Sequence, residues 1–283
     1  QAPHVGINLD LIWASMDGSR VRQVALVAPG AGGTAMLFLA PPAARLGDIG
    51  LQSLELGSVL DAICLDVEGM DLDIGLMQGL PEPTESWASS AYLAAGFIHV
   101  GDLAYLRHDL HVLPDVPPLP SGVTEEAIAQ VGSRVRDAAD VLRALDRSYI
   151  DTLDCPELCG LRRTRDILTS HEQVGSWSPE TWRLVRDGSE AEGCMLLNQI
   201  PELRSLELVY LGLGPALRGR GVGSALLSRG LRLARERSLD HVSCAVDRRN
   251  VPALRLYARL GFREVSSRLA YVRPLKRPGA NAL

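Results

Sequence analysis

Hydrophobic residues follow two different periods in the C-terminal part of the chain. In some segments every third or fourth residue is apolar, which is typical of a helix with one buried face. In others apolar residues alternate with polar ones or form short continuous runs, which is typical of strands. The predicted helices are 136–149, 164–172, 223–238 and 252–261. The predicted strands are 181–188, 193–200, 205–215, 241–247 and 262–275, and the first two form a hairpin.

The N-terminal part shows the same order of elements more faintly. Strands are predicted at 21–29, 34–42, 72–80 and 97–110, and helices at 46–64 and 86–96. A proline-rich segment, 111–122, separates the two parts and is predicted to be a linker. Strands outnumber helices, and helices connect some of them, so the pattern predicts an α/β (α+β) fold with a sheet packed on helices.

A short motif recurs near the ends of both parts. Tyr92 is followed by Gly96-Phe97, and Tyr257 is followed by Gly261-Phe262 at the same spacing. In both places the motif joins the end of a predicted helix to a predicted strand. The recurrence suggests that the chain arose by duplication, although two unrelated helix–strand units could also resemble each other by chance.

Composition narrows the classes of function. The chain has 283 residues, of which 46% are apolar, which is enough for two domains of ordinary size. The formal net charge of −5 argues against binding to a phosphate backbone, so no nucleic-acid partner is expected. No apolar run approaches the roughly 20 residues that cross a bilayer, so no membrane partner is expected either.

The cysteines do not form a recognisable framework. Their number is odd and their spacing irregular, and no second Cys/His pair at ligand spacing follows the CPELC pair, so neither disulfides nor a metal is expected. With no leader visible at Gln1, a cytoplasmic location is expected. The cysteines are Cys64, Cys155, Cys159, Cys194 and Cys244.

The stretch LRGRGVGSALL, residues 217–227, gathers glycines and arginines where a helix begins. The first turn of a helix has free N–H groups and a partial positive charge. Glycines let a ligand approach those groups, and arginines add charged donors, so the stretch predicts a phosphate or pyrophosphate site. A glycine-rich turn with solvated arginines is the alternative. The predicted site residues are Arg218, Gly219, Arg220, Gly221, Val222, Gly223 and Ser224.

Two motifs resemble the GNAT superfamily of N-acetyltransferases. Arg218-x-x-Gly221-x-Gly223 is similar to its acetyl-CoA pyrophosphate loop, and NVPALRLYARLGF, residues 250–262, is similar to its N-x-x-A-x-x-L-Y-x-x-x-G-F segment. The resemblance covers about 136–275 and, through the repeat, extends weakly over the N-terminal part. It implies two tandem GNAT-like domains, each a mixed, mostly antiparallel sheet flanked by helices.

The N-terminal copy departs from the motif. Its nearest equivalent of the loop is RLGDIG, residues 45–50, where Asp48 replaces the key glycine. We therefore predict a degenerate GNAT-like domain at 1–112 and an acetyl-CoA-binding catalytic domain at 113–283. Tandem members such as mycothiol synthases can hold CoA in both halves, so an occupied but inert N-terminal site remains open.

The resemblance also implies how acetyl-CoA is held as co-substrate. The strand 205–214 would splay from its neighbour, and the CoA arm would bond backbone groups near Leu211 and Leu213. Asn250 would either bond the CoA arm or cap the helix that follows it. Tyr257 would donate a proton to the departing thiolate, or else pack as part of the core.

Glu207 is the predicted base. It lies eight residues before Pro215, the spacing of the assigned base in mycothiol synthases. Strand alternation places it on one face with Val209, Leu211 and Leu213, where burial would raise its pKa. A solvent-exposed place at the strand edge is the alternative.

The predicted reaction is acetyl transfer to the primary amine of a small molecule. An acidic loop, 148–158, with Tyr149, Asp151, Asp154 and Glu157, would suit a cationic amine, although surface loops are often acidic for solubility alone. His171 and Trp177 are further candidates for the pocket. A mycothiol-synthase-like or protein N-acetyltransferase is the alternative enzyme, and a non-catalytic CoA-binding sensor is the alternative of another class.

Overall fold

The computed structural model describes residues 8–43, 47–128, 130–131, 134–135 and 138–276. The helices in this part of the chain are α1 (Ile49–Gly69), α2 (Ser86–Ala94), α3 (Ala138–Tyr149), α4 (Thr164–Gln173), α5 (Val222–Glu236) and α6 (Val251–Arg259). The strands are β1 (Ile12–Asp17), β2 (Arg20–Gly30), β3 (Thr34–Leu39), β4 (Leu76–Gly79), β5 (Ile98–His108), β6 (Val123–Ala127), β7 (Gln130–Val131), β8 (Arg134–Val135), β9 (Ser176–Asp187), β10 (Glu190–Ile200), β11 (Ser205–Leu213), β12 (His241–Asp247) and β13 (Arg263–Pro274).

All of the predicted helices and strands are present, so the predicted α/β (α+β) class is confirmed. Helix α1 continues to Gly69, beyond its predicted end at residue 64, because Val67 still points into the core. Strands β1, β6, β7 and β8 were not predicted. Both β1 and β6 are short and mostly exposed, so they lack the buried alternation that marks a strand.

The described residues form two compact units. The N-terminal unit contains residues up to Asp102, together with Gly160–Arg162 and the segment from Arg268 onward. The C-terminal unit contains Leu103–Cys159 and Arg163–Ser267. Each unit thus includes a segment from the other half of the chain, which a linear division does not describe. The predicted division into a domain at 1–112 and a domain at 113–283 stays a prediction.

In the N-terminal unit the strand order is β1-β2-β3-β4-β13. Only β3 and β4 pair in parallel, and α1 makes the crossover between them. The buried face of α1 contributes Leu56, Leu60 and Ile63 to a core that also contains residues of β2, β3 and α2.

In the C-terminal unit the strand order is β5-β12-β11-β10-β9-β6. Here β11 and β12 are the parallel pair, and α5 connects them. Both faces of this sheet are covered. On β10, Met195 and Leu197 pack in a cluster with residues of α5, whereas Cys194 and Leu196 pack in a second cluster with residues of α3. Because alternate residues of a strand point to opposite faces, the two helices lie on opposite sides of the sheet.

The repeated motif forms the same turn in both units. Phe97 N donates to Tyr92 O and Phe262 N to Tyr257 O, each at 3.0 Å. The glycine before each phenylalanine has a positive φ, 75° at Gly96 and 93° at Gly261. Both Tyr–Phe ring pairs are edge-to-face, with interplanar angles of 61°. This shared geometry, together with the parallel pair and crossover helix in each unit, supports the duplication inferred from the sequence.

Candidate active site

The two parallel strands of the C-terminal unit separate along their length. Pairing between β11 and β12 runs from Ser205 opposite His241 to Leu208 opposite Cys244, and no further pair of these strands is formed in the described part of the chain. Beyond that point β11 continues to Leu213. The separation leaves a wedge between the strands, in which β11 is not paired with β12 and a ligand can lie along the strand.

A β-bulge lies where the wedge begins. Leu208 of β11 is opposite Leu197 of β10, and Tyr210 is opposite Leu196, so Val209 is an extra residue on β11. A bulge of this kind interrupts the alternation of the strand and shifts which residues face each side.

The bulge corrects one sequence-based expectation. Leu208 before it and Leu211 and Leu213 after it all pack against the cluster beneath α5. Glu207 therefore does not share a face with Leu211 and Leu213, as uninterrupted alternation predicted. It shares the opposite face with Tyr210, which packs in the cluster beneath α3.

The glycine-rich loop leads into α5 as predicted. Gly219 and Gly221 have φ angles of 73° and 83°, in the left-handed region that favours glycine. A Cβ atom on either would meet nothing within 4 Å, so the space in front of the loop is open. Gly221 is the N-cap of α5 and provides no side chain to accept from the first-turn N–H groups of residues 222–224. This uncapped helix end can accept an anion.

The next residues of the loop hold it against the core. Val222 is fully buried, and a Cβ on Gly223 would lie 3.3 Å from Leu256 Cδ2, which leaves little room for a side chain. Ser224 is half-buried on the first turn. The small residues thus let α5 approach α6 closely at the end where the loop begins.

The arginines of the loop contact the protein itself. Arg218 donates from Nε to Leu213 O at 2.9 Å, and from its Nη atoms to Ser148 O, Ile150 O and Asp151 O at 2.9, 2.7 and 3.3 Å. A pyrophosphate role for this side chain would require an exchange of these bonds, and it stays a prediction.

Arg220 is similarly engaged. Its Nη1 donates to Asp187 Oδ2 at 2.9 Å and to Ala216 O at 3.2 Å. Its pyrophosphate role also stays a prediction. The features of the loop that are open to a ligand are therefore the backbone N–H groups and the space beside the glycines.

Glu207 lies beside the apex of the wedge. It is opposite Ser243 of β12, and the Ser243 hydroxyl donates to Glu207 Oε2. Burial raises the pKa of the Glu207 carboxyl, while the bond from Ser243 opposes that shift. Because burial is the larger effect, this carboxylate is a better proton acceptor near neutral pH than an exposed glutamate.

Tyr257 lies on α6 and reaches the same apex from the other face of the sheet. It is buried in the cluster beneath α5, and its hydroxyl bonds to the Cys244 thiol, at the last paired residue of β12. Burial, then the nearby Cys244, raises the pKa of the Tyr257 phenol well above its usual range. The phenol thus keeps its proton at all working pH values, and its ring also fills the core.

Asn250 caps α6, which is one of its two predicted roles. Its Oδ1 accepts from Ala253 N at 3.3 Å. Pro252 follows in the first turn, where a residue without an N–H is tolerated. The contact with the CoA arm stays a prediction.

Aromatic side chains cover the face of β11 that carries Glu207. The Tyr210 hydroxyl and Ser148 Oγ are 2.7 Å apart and share a hydrogen bond. The Tyr210 ring stacks on His171, with centroids 5.4 Å apart, and meets Tyr149 edge-on at 6.0 Å. Two of the predicted pocket residues, Tyr149 and His171, therefore come together around a tyrosine that sequence reasoning did not select.

Asn198 joins this aromatic cluster to α4. The side chain is fully buried, and its Oδ1 accepts from Trp182 Nε1 at 2.6 Å. Its Nδ2 donates to His171 O and Val174 O, at 2.7 and 2.6 Å, and so holds the end of α4. The signal in the sequence that could have identified it is the polar pair Asn198-Gln199, which interrupts the apolar residues of β10.

The acidic loop after α3 is joined to the end of β12. Asp247 Oδ2 accepts from Cys155 N at 3.0 Å, and Asp247 N donates to Asp154 Oδ1 at 2.8 Å. The Asp247 side chain is fully buried, and Asp154, although the residue reaches the surface, has its pKa raised, chiefly by burial of the carboxyl. Asp247 was not selected from the sequence.

Arg249 neutralises much of this acidity. It contacts Glu157 through both carboxylate oxygens, at 2.6 and 2.8 Å, and Asp247 at 2.6 Å. Glu157 is thus engaged within the protein. The structure leaves Asp154, together with Glu207, as the carboxylates nearest the wedge whose pKa is raised.

The corresponding place in the N-terminal unit is filled. The Tyr92 hydroxyl donates to Leu37 O of β3 at 3.3 Å, and its ring lies so close to Gly79 that a Cβ there would be 2.1 Å from Tyr92 Cζ. Asp48 caps α1 by accepting from Leu51 N at 3.0 Å. A side chain therefore crosses from α2 to β3, and a carboxylate occupies the helix end. Residues 45–46 of the predicted loop equivalent lie outside the described residues.

Two features are absent from the described part of the chain. No group of three His, Cys, Asp or Glu side chains is arranged to hold a metal ion. None of the helices in these ranges is long and apolar enough to cross a membrane.

The fold and the site together define a protein class. A parallel strand pair that splays beside an uncapped, glycine-rich helix end, present in one unit and blocked in a second unit of the same order, is a tandem GNAT arrangement. Residues 148–262 match the Acetyltransferase (GNAT) family. This part of the chain is a GNAT-family domain, which confirms the resemblance seen in the sequence.

Comparison with curated proteins gives a consistent picture. The chain is 30% identical over 219 residues to the mycothiol acetyltransferase of Salinispora arenicola, covering 68% of this chain and 63% of that protein. It is 30% identical over 188 residues to the mycothiol acetyltransferase of Actinosynnema mirum, covering 64% of this chain and 60% of that protein. The chain thus spans less than two thirds of the length of these relatives.

Solved structures resemble the fold at low sequence identity. A GCN5-related N-acetyltransferase from Sphaerobacter thermophilus has a TM-score of 0.61 at 18% identity, covering 93% of this chain and 79% of that one. A tandem GNAT protein from the clavulanic acid biosynthesis pathway has a TM-score of 0.54 at 15% identity, covering 94% of this chain and 83% of that one. At these identities the likeness concerns the fold alone.

Proposed function

We propose that this protein is an acetyl-CoA-dependent N-acetyltransferase that acetylates the primary amine of a small molecule. The observation that carries the proposal is the wedge between β11 and β12, which opens beside the uncapped N-terminus of α5. A strand edge and a helix end suit the two parts of CoA, an amide-containing arm and a pyrophosphate.

The residues present fit this cofactor. The space before Gly219 and Gly221 is open, and the N–H groups of residues 222–224 would hold the pyrophosphate. The edge of β11 beyond Leu208 would bond the amide arm. When bound, acetyl-CoA supplies the acetyl thioester.

The two faces of the sheet give the chain's ionisable groups different tasks. Glu207 lies on the aromatic face, from which the amine would approach in this proposal, and its raised pKa suits acceptance of the amine proton, directly or through a water molecule. Tyr257 lies on the α5 face and holds its proton at the apex, where the thiolate would leave. Acid and base thus stand on opposite sides of the reacting centre.

The acceptor is proposed from the relatives. Several similar proteins are named mycothiol acetyltransferases, so we propose that the acceptor is a small-molecule amine similar to the one that those enzymes acetylate. Because Arg249 engages Glu157, the loop is a weaker cation site than its sequence suggests. We also propose a cytoplasmic location, which is supported by five free cysteines.

The first test is thiol release from acetyl-CoA with a panel of primary amines, such as cysteamine, glucosamine and amino-acid esters, alongside calorimetry of acetyl-CoA binding. We expect binding and amine-dependent release. Tight binding without release for any amine would favour the CoA-binding sensor. Release with peptides only would favour a protein N-acetyltransferase.

We predict one acetyl-CoA bound per chain. The N-terminal unit has a carboxylate at the α1 end and the Tyr92 hydroxyl on Leu37 O, so it offers neither the helix end nor the strand edge. Calorimetry of the full chain measures the stoichiometry, and Asp48→Ala should leave it unchanged because Tyr92 still blocks the strand. Two equivalents for the unmodified chain would refute the degenerate assignment.

We predict that Tyr257→Phe lowers turnover by about 10- to 100-fold, at or below the lower limit of the range of about 10²- to 10⁴-fold for general acids, with little change in acetyl-CoA affinity. The effect is limited because the raised pKa of the phenol makes it a reluctant donor to a thiolate. Tyr92→Phe, at the same turn of the N-terminal unit, is the matched control and should keep full activity. Equal rates for both variants would assign Tyr257 to the core alone.

A further inference from the structure

The Arg218 side chain bonds to more protein acceptors than is expected of a side chain whose role is to bind a pyrophosphate. Its Nε and both Nη atoms donate to four backbone carbonyls from two segments, Leu213 of β11 and residues 148–151 at the C-terminal end of α3. We propose that Arg218 is a positioning residue that holds the acceptor loop, residues 148–159, in place beside the cofactor loop, residues 218–224. The proposal rests on the function proposed above.

The contact is chemically well suited to the end of α3. The last carbonyls of a helix have no partner within it and carry a partial negative charge. Ser148 and Ile150 lie at this end, and both accept from Arg218 Nη2, at 2.9 and 2.7 Å. A planar guanidinium can satisfy several carbonyls at once, which a lysine ammonium on a longer, less directional stem does less well.

The acceptor loop needs such support because its backbone is unfavourable. Asp151 and Cys155 have φ angles of 50° and 45°, in the region that favours glycine. Residues in this conformation persist when surrounding contacts hold them. Arg218 holds the loop at Asp151, and Asp247 holds it at Cys155 and Asp154.

One residue therefore belongs to both binding regions. The backbone on its C-terminal side, at Gly219 and Gly221, faces the proposed pyrophosphate site, while its side chain holds the loop near the aromatic face. Binding of acetyl-CoA to the loop would steady Arg218 and, through it, the acceptor loop. Loss of the guanidinium should then weaken acceptor binding more than cofactor binding.

The experiment compares Arg218→Met, which keeps an unbranched stem, with Arg218→Lys and with the control Arg237→Met, at the far end of α5, where the guanidinium pairs with Glu180. Calorimetry gives the acetyl-CoA Kd, steady-state kinetics with the best amine of the panel gives kcat and acceptor KM, and hydrogen exchange reports on the amides of 148–159. For Arg218→Met we expect roughly a tenfold or larger rise in acceptor KM, an acetyl-CoA Kd within about threefold, and faster exchange in the loop. Arg218→Lys should be intermediate, and Arg237→Met should leave acceptor KM and loop exchange unchanged.

A tenfold or larger rise in acetyl-CoA Kd, with unchanged acceptor KM and loop exchange, would make Arg218 a phosphate ligand and overturn the proposal. If the unmodified chain does not bind acetyl-CoA, the proposed function fails, but exchange in the ligand-free variants still decides whether Arg218 holds the loop. If Arg218→Met does not fold, Arg218→Lys decides by the same measurements.

Discussion

Gly221→Asp is expected to abolish measurable acetyl-CoA binding under ordinary calorimetric conditions. The new carboxylate would stand at the N-cap of α5, in the open space that the pyrophosphate would occupy. Two like charges about 4 Å apart repel by roughly 4 kcal/mol at the effective dielectric constant of a protein surface. That energy corresponds to a loss of affinity of roughly a thousandfold.

Gly221→Asn is the matched control for this change. Asparagine has the size of aspartate and tolerates the left-handed backbone of Gly221 comparably, so both variants bear a similar conformational cost. A difference between them therefore measures charge. If the Asp and Asn variants are both folded and bind acetyl-CoA with equal affinity, the pyrophosphate does not bind at this helix end.

Glu207→Gln is expected to lower kcat/KM by about 10²- to 10⁴-fold, the range for loss of a general base. The amide is nearly the same size and can still accept from the Ser243 hydroxyl, so the fold should be kept. Acetyl-CoA affinity should change little, because Glu207 lies on the face opposite the side chains of Leu211 and Leu213. Steady-state kinetics and calorimetry separate the two quantities.

The dependence of kcat/KM on pH provides a second test of Glu207 as the base. Burial raises the pKa of Glu207, so in the unmodified enzyme kcat/KM should fall as pH decreases through that raised pKa, where the carboxylate becomes protonated and stops acting as a base. Glu207→Gln should lose this limb, whereas Glu202→Gln, at an exposed glutamate just before β11, should keep it. Repeating the measurement with amines of different pKa distinguishes protonation of Glu207 from protonation of the substrate.

If Glu207→Gln keeps both the rate and the acidic limb of the pH profile, then Glu207 is not the base. Asp154 is then the next residue to test, because its carboxyl pKa is also raised and it lies on the loop after α3. The same outcome would agree with an amine that binds already neutral.

The N-terminal unit repeats the turn of the C-terminal unit but differs from it at the strand edge and at the helix end. Tyr92 forms the same turn as Tyr257, yet its hydroxyl bonds to Leu37 O of β3, whereas that of Tyr257 bonds to a thiol of β12. Asp48 caps the start of α1, whereas Gly221 leaves the start of α5 without a side-chain cap. Both changes keep backbone groups satisfied within the protein, so the unit retains its core without a ligand.

The sequence by itself determined the elements, their order and the two motifs of the site. Helical and strand periods are local properties, so α3–α6 and β11–β13 were predicted closely, whereas β9 and β10 begin before their predicted starts. The glycines at 219 and 221 were also interpretable, because only a backbone requirement explains two glycines where a helix begins. The repeat of Tyr92 and Tyr257 predicted two units of the same order.

The tertiary structure alone decided which side chains meet. One extra residue, Val209, moved Glu207 to the face opposite Leu211, and no local pattern marks a bulge within an apolar strand. Arg218 found carbonyls about 70 residues away along the chain, and Asp247 found Cys155, because such partners depend on how distant segments pack. Periodicity describes each element separately, whereas these contacts arise only when the elements are assembled.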